Sequence, residues 1–514
     1  MSIHQLLRNA AQAAPSAIAI RYQGRDCTWS LFVNRVAQRA AQLRSSSLPS
    51  ARVALLAANL PEHMEADYAV LWADRVLVPL NTRLSLMEQQ FILEHSECEL
   101  LCFDERSAKR AAELMSRLSS LRGVALAPIA AWDTPQDALT GIEALPFTPA
   151  QAETAAIFYT GGTTGIPKGV ALSHTALLLQ AMSAKDNYRL DEGTVFVHSA
   201  PMFHLADFAA ALGTTAGIGA HSFLPEYSPS AFLDCIEQEG VNVGILVPPM
   251  IPGVLDAASS RPGVMGRLRT ILYGAAPIQE PILCRLMQAA PGVGLVQVYG
   301  QTEVGGACTA LAAERHVFTG PLAGKLGSAG RVVPAFTMRI ANESGEPCAN
   351  GVAGEVQVSG PGLMTSYWKA PALTALAMQD GWLRTGDVGV MDDDGFVSIV
   401  GRLKDMIISG GENVFAGEVE SALMYHDAVA ACAVFGVPDA KWGEAVHAAV
   451  VLKPGCEVGA EELIAHCRTR IAHYKCPRGI SLRHQPLPLS GVGKVRKVDL
   501  LDQWKREHPE GVSA

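Results

Sequence analysis

From Ser30 to Leu43 apolar side chains recur at the spacing of one helix face, and the run ARVALLAA at 51–58 then reads as a buried strand. HMEADYAVLWA follows as a second helix leading into the strand RVLVPL, and the amino-terminal MSIHQLLRNAAQAAP also alternates at helical spacing. Helix and strand alternate from the outset. Between Gly123 and Glu153 the period is lost, Ala is frequent, and Pro128, Pro135, Pro146 and Pro149 interrupt the chain, so this stretch reads as a connection between two α/β halves. The alternation returns in TAAIFY (154–159), a helix after Ser173, VFVHSA (195–200), a helix after Pro229 and VNVGILV (241–247). It continues through TILYG (270–274), a helix after Pro277 and GLVQVYG (294–300), and short apolar strands separated by helices predict a parallel sheet covered on its faces.

Beyond Gly327 the texture changes to short alternating segments with turn residues, as in FTMRIANESGEPCANGVAGEVQVSG (336–360), which predicts antiparallel pairing. After GRLKD (401–405) the order becomes strand, helix (Gly417 to Tyr425), strands VAACAVFGV and AVHAAVVLK, helix (Ala460 to His473) and a last strand. The expected fold is therefore α/β: a large N-terminal domain of parallel α/β subdomains plus a small antiparallel section, spanning 1–403, and a small C-terminal α+β domain over 404–514.

Composition narrows the function classes. The chain has 514 residues, 49% hydrophobic and 18% charged, enough for more than one packed core and far from the signature of disorder. Lys and Arg number 41 against 50 Asp and Glu, a net charge of −9, so no bulk positive field is present to hold a nucleic acid. Anionic ligands have to be met locally. Eleven cysteines scattered from Cys27 to Cys476 contain no CxxC pair, which argues against a disulfide framework or zinc site and fits a reducing, cytoplasmic setting. No apolar stretch is long enough for a membrane span or a signal peptide.

Against that background a few segments carry chemistry. YTGGTTGIPKGV (159–170) follows an apolar strand; its glycines, Gly161 and Gly162 among them, expose backbone N–H groups, Thr160, Thr163 and Thr164 add hydroxyls, and Lys168 adds charge, a set suited to a polyphosphate. Lys168 is followed by Gly169, so the loop is not of the Walker type. YGQTE (299–303) also follows a strand. Tyr299 offers a face for stacking, Thr302 a hydroxyl for phosphate and Glu303 a hard oxygen ligand for Mg²⁺, although any bare YG dipeptide also suits a surface turn. Taken alone, Asp387 reads as a turn residue, Lys494 as a solvated lysine, and His204 in PMFHLADF (201–208) as a core histidine. Asp207 in the same segment reads either as a local helix cap or as the partner of a polar group on a ligand. In the last section Gly410 and Gly411 admit close backbone approach, Trp442 offers an apolar wall, and Lys475 with Arg478 supplies charge for a phosphorylated nucleotide; Lys497 reads as exposed.

Six segments together, YTGGTTGIPKGV, GAAP (274–277), YGQTE, LRTGD (383–387), GRLKDMIISGGENVFAGEVE (401–420) and PLPLSGVGKVRK (486–497), resemble in order the motifs of the acyl-adenylate-forming superfamily. That superfamily comprises acyl-CoA synthetases, peptide-synthetase adenylation domains and luciferases. The resemblance implies ATP binding by Thr160, Gly161, Gly162, Thr163, Thr164 and Lys168, by Gly274, Ala275 and Ala276 beside the adenine, and by Tyr299, Gly300, Gln301, Thr302 and Glu303, the last holding Mg²⁺. It further implies that Asp387, helped by Arg402, holds the ribose, that Lys494 bridges the substrate carboxylate and the α-phosphate, and that His204 lies near the acyl group. Gly410, Gly411, Trp442, Lys475 and Arg478 would face CoA, and Lys404 would be the hinge of a domain rotation. Two departures stand out: Cys476, where some relatives carry a basic residue, and VFAG (414–417) in place of VYPA.

The expected activity is that of an acyl-CoA synthetase, with ATP, a carboxylic acid and CoA as partners and a homodimer as a possible assembly. The best subfamily resemblance is to medium- and long-chain fatty acyl-CoA synthetases, which the apolar Met202, Phe203, Phe208, Ile245, Val247 and Met250 would suit. Alternatives are a ligase for aryl or other small acids, an acyl-AMP ligase loading a carrier protein, a luciferase-type oxygenase, and a binding protein without catalysis.

Overall fold

The computed structural model describes residues 2–45, 52–132, 143–147, 153–161, 167–489 and 495–508. Two compact units emerge: Met1–Pro277 with Arg285–Thr337 and Val358–Leu383, and Ile278–Cys284 with Met338–Gln357 and Arg384–Ala514.

The first unit carries two sheets among its described residues. One has nine strands, in the order Arg331–Val332, Thr309–Leu311, Gly294–Tyr299, Thr270–Gly274, Val243–Ile245, Val195–His198, Ala220–Phe223, Ile18–Tyr22 and Arg25–Thr28. Its central members run parallel, as the Ala, Val, Ile and Leu content of doubly covered strands requires. The other sheet has seven strands and joins Val76–Pro79, Arg52–Leu56, Leu100–Phe103 and Arg122–Ala125 to the hairpin of Thr154–Thr160 and Lys168–Ser173, with Ser366–Tyr367 on its edge. The expected helices appear at Trp29–Ser45, Pro61–Trp72, His174–Asn187, Pro229–Gln238 and Glu280–Ala289, the last beginning in the second unit. One expectation changes. TAAIFY does not continue the parallel series of the later strands but belongs to the other sheet, and its partner Lys168–Ser173 returns antiparallel across the glycine loop.

Strands Thr337–Ala341, Gly354–Ser359, Trp382–Met391 and Val397–Arg402, most of whose residues belong to the second unit, supply the expected antiparallel section. The carboxyl-terminal sheet orders Glu412–Phe415, Met406–Ser409, Gly443–Leu452 and Val429–Asp439, with Gly479–Arg483 parallel to Gly443–Leu452. Helices Ala416–Met424 and Ala460–Arg468 pack on it around Val414, Val419, Leu423, Val434, Val446 and Leu463. The second of these helices stops short of His473, which instead opens a 3-10 turn, and a further helix, Lys497–Glu507, was not expected. No helix among the described residues is long and apolar enough to cross a membrane.

Candidate active site

Four neighbouring parallel strands of the nine-stranded sheet end along one edge at His198, Ile245, Gly274 and Tyr299. The carboxyl ends of such strands are where open α/β sheets bind ligands. Each of the segments 199–204, 274–276 and 299–303 leaves one of these tips.

The tips at 274 and 299 depend on glycine. A Cβ on Gly274 would overlap the Val298 carbonyl, and one on Gly300 would overlap the Gly306 carbonyl, so neither backbone position admits a side chain. Ala275 follows in the left-handed region at φ 64°, a strained geometry for alanine that often marks a functional turn. Gln301 caps a 3-10 turn, Thr302–Val304, which presents Thr302 and Glu303. Gln180 holds this loop from helix His174–Asn187: its Nε2 donates to the carbonyls of Val304 (2.8 Å) and Ala307 (3.0 Å), and its Oε1 accepts the Ala307 N–H (3.3 Å). Glu303 itself is bound twice by one segment, as the Met364 N–H donates to its carbonyl at 2.8 Å and the Tyr367 hydroxyl to its Oε1 at 2.8 Å.

Thr160 and Lys168 face each other across the base of the glycine loop, and Gly161 is exposed beside them. Gly162, Thr163 and Thr164 lie outside the described residues. Lys168 Nζ lies 5.7 Å from the Tyr367 ring centroid, within cation–π range, so Lys168, Tyr367 and Glu303 form one chain of contacts.

The segment leaving His198 is clamped by Asn59, whose Nδ2 donates to the carbonyls of His198 (2.8 Å) and Ala200 (2.7 Å) while its Oδ1 accepts the Met202 N–H (2.9 Å). Met202, Phe203, Phe208 and Ile245 are buried, whereas Val247 and Met250 are partly exposed. His204 is the N-cap residue of helix Leu205–Ala216, its ring 4.6 Å from that of Phe203. Asp207 neither caps that helix nor faces solvent: its Oδ1 lies 2.6 Å from His198 Nδ1. The contacts continue from His198 Nε2 to His221 Nδ1 (3.1 Å), from His221 Nε2 to Thr215 (3.2 Å) and from Thr215 to the Tyr68 hydroxyl (2.8 Å). Burial pushes the Asp207 carboxyl well above the usual carboxylate range and His198 down to about 3. Asp207 therefore anchors a polar chain inside the core.

In the second unit Asp387 is buried and its Oδ1 lies 2.9 Å from Arg402 Nε, on paired antiparallel strands. The preceding turn is secured by Glu355, which accepts from Arg384 Nε (2.8 Å) and the Gly386 N–H (3.2 Å). Lys404 is exposed in the 3-10 turn Leu403–Asp405. Gly410 and Gly411 adopt φ of 65° and 85°, and a Cβ on Gly410 would lie 2.5 Å from the Trp442 ring. Arg478 stacks 4.0 Å from the centroid of a Trp442 ring, and Lys441 lies 4.8 Å away. Lys475 is turned to another partner, both oxygens of Glu418 at 2.8 Å, and that carboxylate holds its ammonium above the ordinary range. Cys476 is part of the core. Lys497 pairs with Glu420 at 2.7 Å instead of standing free in solvent. Lys494 lies outside the described residues.

Of the residues that organise these features, Asn59, Gln180, Glu355 and Tyr367 lie in none of the motif segments, whereas Glu418 falls within the 401–420 segment but nothing there marks it as the partner of Lys475. Only Gln180 leaves a trace in the sequence, as a lone amide within the apolar run ALLLQAM.

A glycine-bearing loop and turns at the carboxyl ends of parallel strands are an arrangement suited to a phosphorylated ligand. Residues 7–368 match the AMP-binding enzyme family and residues 418–494 match the AMP-binding enzyme C-terminal domain. The chain belongs to the AMP-binding enzyme family, and so to the acyl-adenylate-forming superfamily. It is 38% identical to a feruloyl-CoA synthase from Amycolatopsis sp over 95% of this chain and 96% of that protein. It is 31% identical to the indoleacetate–CoA ligase of Aromatoleum aromaticum over 97% of this chain and 98% of that one. The structure of o-succinylbenzoate CoA synthetase from Bacillus subtilis, in complex with its acyl-adenylate intermediate, superposes with a TM-score of 0.84 at 30% identity, covering 97% of each chain.

Proposed function

We propose that this enzyme is a carboxylate–CoA ligase that activates an aryl-substituted acid with MgATP and transfers the acyl group to CoA. The observation that carries the reading is similarity along nearly the whole chain to ligases named for feruloyl-CoA and indoleacetate. In the first step the acid's carboxylate oxygen attacks the α-phosphorus of ATP, the bond to the β-phosphate bridging oxygen breaks, and pyrophosphate leaves. In the second the CoA thiolate attacks the acyl carbonyl and AMP leaves.

Tyr299 stacks on adenine with Gly274, Ala275 and Ala276 alongside, Gly300 and Gln301 complete that wall, and Thr302 meets a phosphate. Thr160, Gly161, Gly162, Thr163, Thr164 and Lys168 cradle the triphosphate. Asp387 with Arg402 takes the ribose hydroxyls, and Lys494 stabilises charge as it builds on the α-phosphate. His204 attends the acyl group, while Gly410, Gly411, Trp442 and Arg478 receive CoA; Lys475 reaches it only by giving up Glu418.

Among the described residues no group of three His, Cys, Asp or Glu would hold a metal unaided. Mg²⁺ commonly takes one or two carboxylates and completes its shell with phosphate and water oxygens, which Glu303 suits. Bound there with ATP, the ion neutralises phosphate charge.

The buried Met202, Phe203, Phe208 and Ile245 support a second reading, a medium- or long-chain fatty acid. Pyrophosphate release and acyl-CoA formation, measured for ferulate, indoleacetate and straight-chain acids, separate the two. We expect kcat/KM at least tenfold higher for an aryl acid; a higher value for long straight chains selects the second reading, and no acyl-CoA from any acid removes the ligase. Lys494→Ala should lower acyl-AMP formation by roughly 10² to 10³ and spare transfer from supplied acyl-AMP.

A further inference from the structure

The short segment Met364–Trp368 ties together two parts of the candidate site that are far apart in sequence. Along one edge it is hydrogen-bonded to the strand that leaves the glycine loop: Thr365 N–H donates to the Ala171 carbonyl (2.9 Å) and Trp368 N–H to the Gly169 carbonyl (2.7 Å). Ser366 and Tyr367 stand opposite Ala171 and Val170 in that pairing. Toward the other side the segment reaches Glu303 through the Met364 N–H and the Tyr367 hydroxyl.

We propose that Tyr367 is a positioning residue, whose hydroxyl fixes the Glu303 carboxylate at a set distance from the glycine loop so that metal and triphosphate are held together. This rests on the nucleotide-binding reading above. A glutamate side chain left to itself samples several rotamers, and ordering it for each binding event costs affinity. Tyr367 is already buried and its ring already packs under Lys168, so the hydroxyl holds the carboxylate in advance. The donor bonds to one carboxylate oxygen only, Oε1.

The test uses the full chain and a readout other than turnover. Mn²⁺ binding, followed by electron paramagnetic resonance in the presence of α,β-methylene-ATP, is compared in wild type, Tyr367→Phe, Glu303→Gln and the double variant. Tyr367→Phe keeps the ring under Lys168 and removes only the hydroxyl. We expect it to weaken Mn²⁺ binding about tenfold, with the metal-free nucleotide affinity changed less than twofold, and the double variant to bind no worse than Glu303→Gln alone. Unchanged Mn²⁺ binding in Tyr367→Phe overturns the proposal, as does a loss that adds to that of Glu303→Gln. Failure of the wild type to bind the Mn²⁺–nucleotide overturns both this proposal and the reading beneath it. Coupled Mn²⁺ losses in an enzyme that makes no acyl-CoA from any acid remove the ligase reading and leave the role of Tyr367 standing.

Discussion

His316 illustrates how a single buried side chain can shape the pH response of the fold. Its Nδ1 lies 3.1 Å from the Ala312 carbonyl and its Nε2 2.8 Å from the Tyr273 hydroxyl, and burial pushes its pKa down to about 4. An unfolded histidine titrates near 6.5. Between those values the unfolded chain takes up a proton that the folded one refuses, so this contribution to stability is complete above about 6.5 and is lost as the pH falls toward 4. At pH 5 the loss amounts to about 2 kcal/mol. His316→Gln should therefore show a smaller drop in melting temperature between pH 7 and pH 5 than wild type; an identical drop would sink the argument. Such roles were not legible in the sequence. Glu303, Asp387 and Lys168 could be singled out because charge, spacing and motif coincide, whereas Tyr367 and Asn59 look like any other aromatic or amide until their partners are known.

Elements show the same division. The strands at 270–274 and 294–299 and the turns after them could be read from apolar runs ending in glycine, because a strand tip without a Cβ leaves a local signature. What holds those turns in place could not. The segment following His198 is shaped by Asn59, which comes from the loop ahead of helix Pro61–Trp72. Asn59→Ala would strand two carbonyls and one N–H in a buried setting, at a cost of about 2 kcal/mol or more. It should also raise KM for the acid several-fold while leaving KM for ATP near its wild-type value. Steady-state kinetics with each substrate varied in turn tests this, and equal effects on both would show that the clamp does not act on the acid segment in particular. The strand 154–159 is another case: a continuous apolar run set its conformation, but only its pairing with Val76–Pro79 decided which sheet it joined.

For the whole molecule, the proposed two-step reaction would ask different residues of the carboxyl-terminal section to act in turn: Lys494 in adenylation, then Trp442 and the Gly410–Gly411 turn in thioester formation. A rotation about Lys404 would satisfy both, and the exposed 3-10 turn Leu403–Asp405 leaves that residue unencumbered by core packing. Proline would lock φ there and constrain the residue before it. Lys404→Pro should consequently retain pyrophosphate release with acid and ATP while acyl-CoA formation slows at least tenfold. Equal rates for the two half-reactions in that variant would rule the rotation out.

By itself the sequence determined the α/β class, most of the strand and helix segments, the texture change after Gly327 and the motif-bearing loops, since all of these follow from local periodicity and from residue types that few other backbones or ligands require. Only the tertiary structure decided how the strands divide between sheets, that Asp207 is spent on His198, that Lys475 is paired with Glu418, and that Gln180 and Tyr367 brace the Glu303 turn. Apart from the Asp207–His198 contact, which joins residues nine apart, these depend on strands or side chains meeting across long sequence separations. Burial there makes an unmatched polar group costly, so the partner is selected by the packed fold and leaves no pattern along the chain.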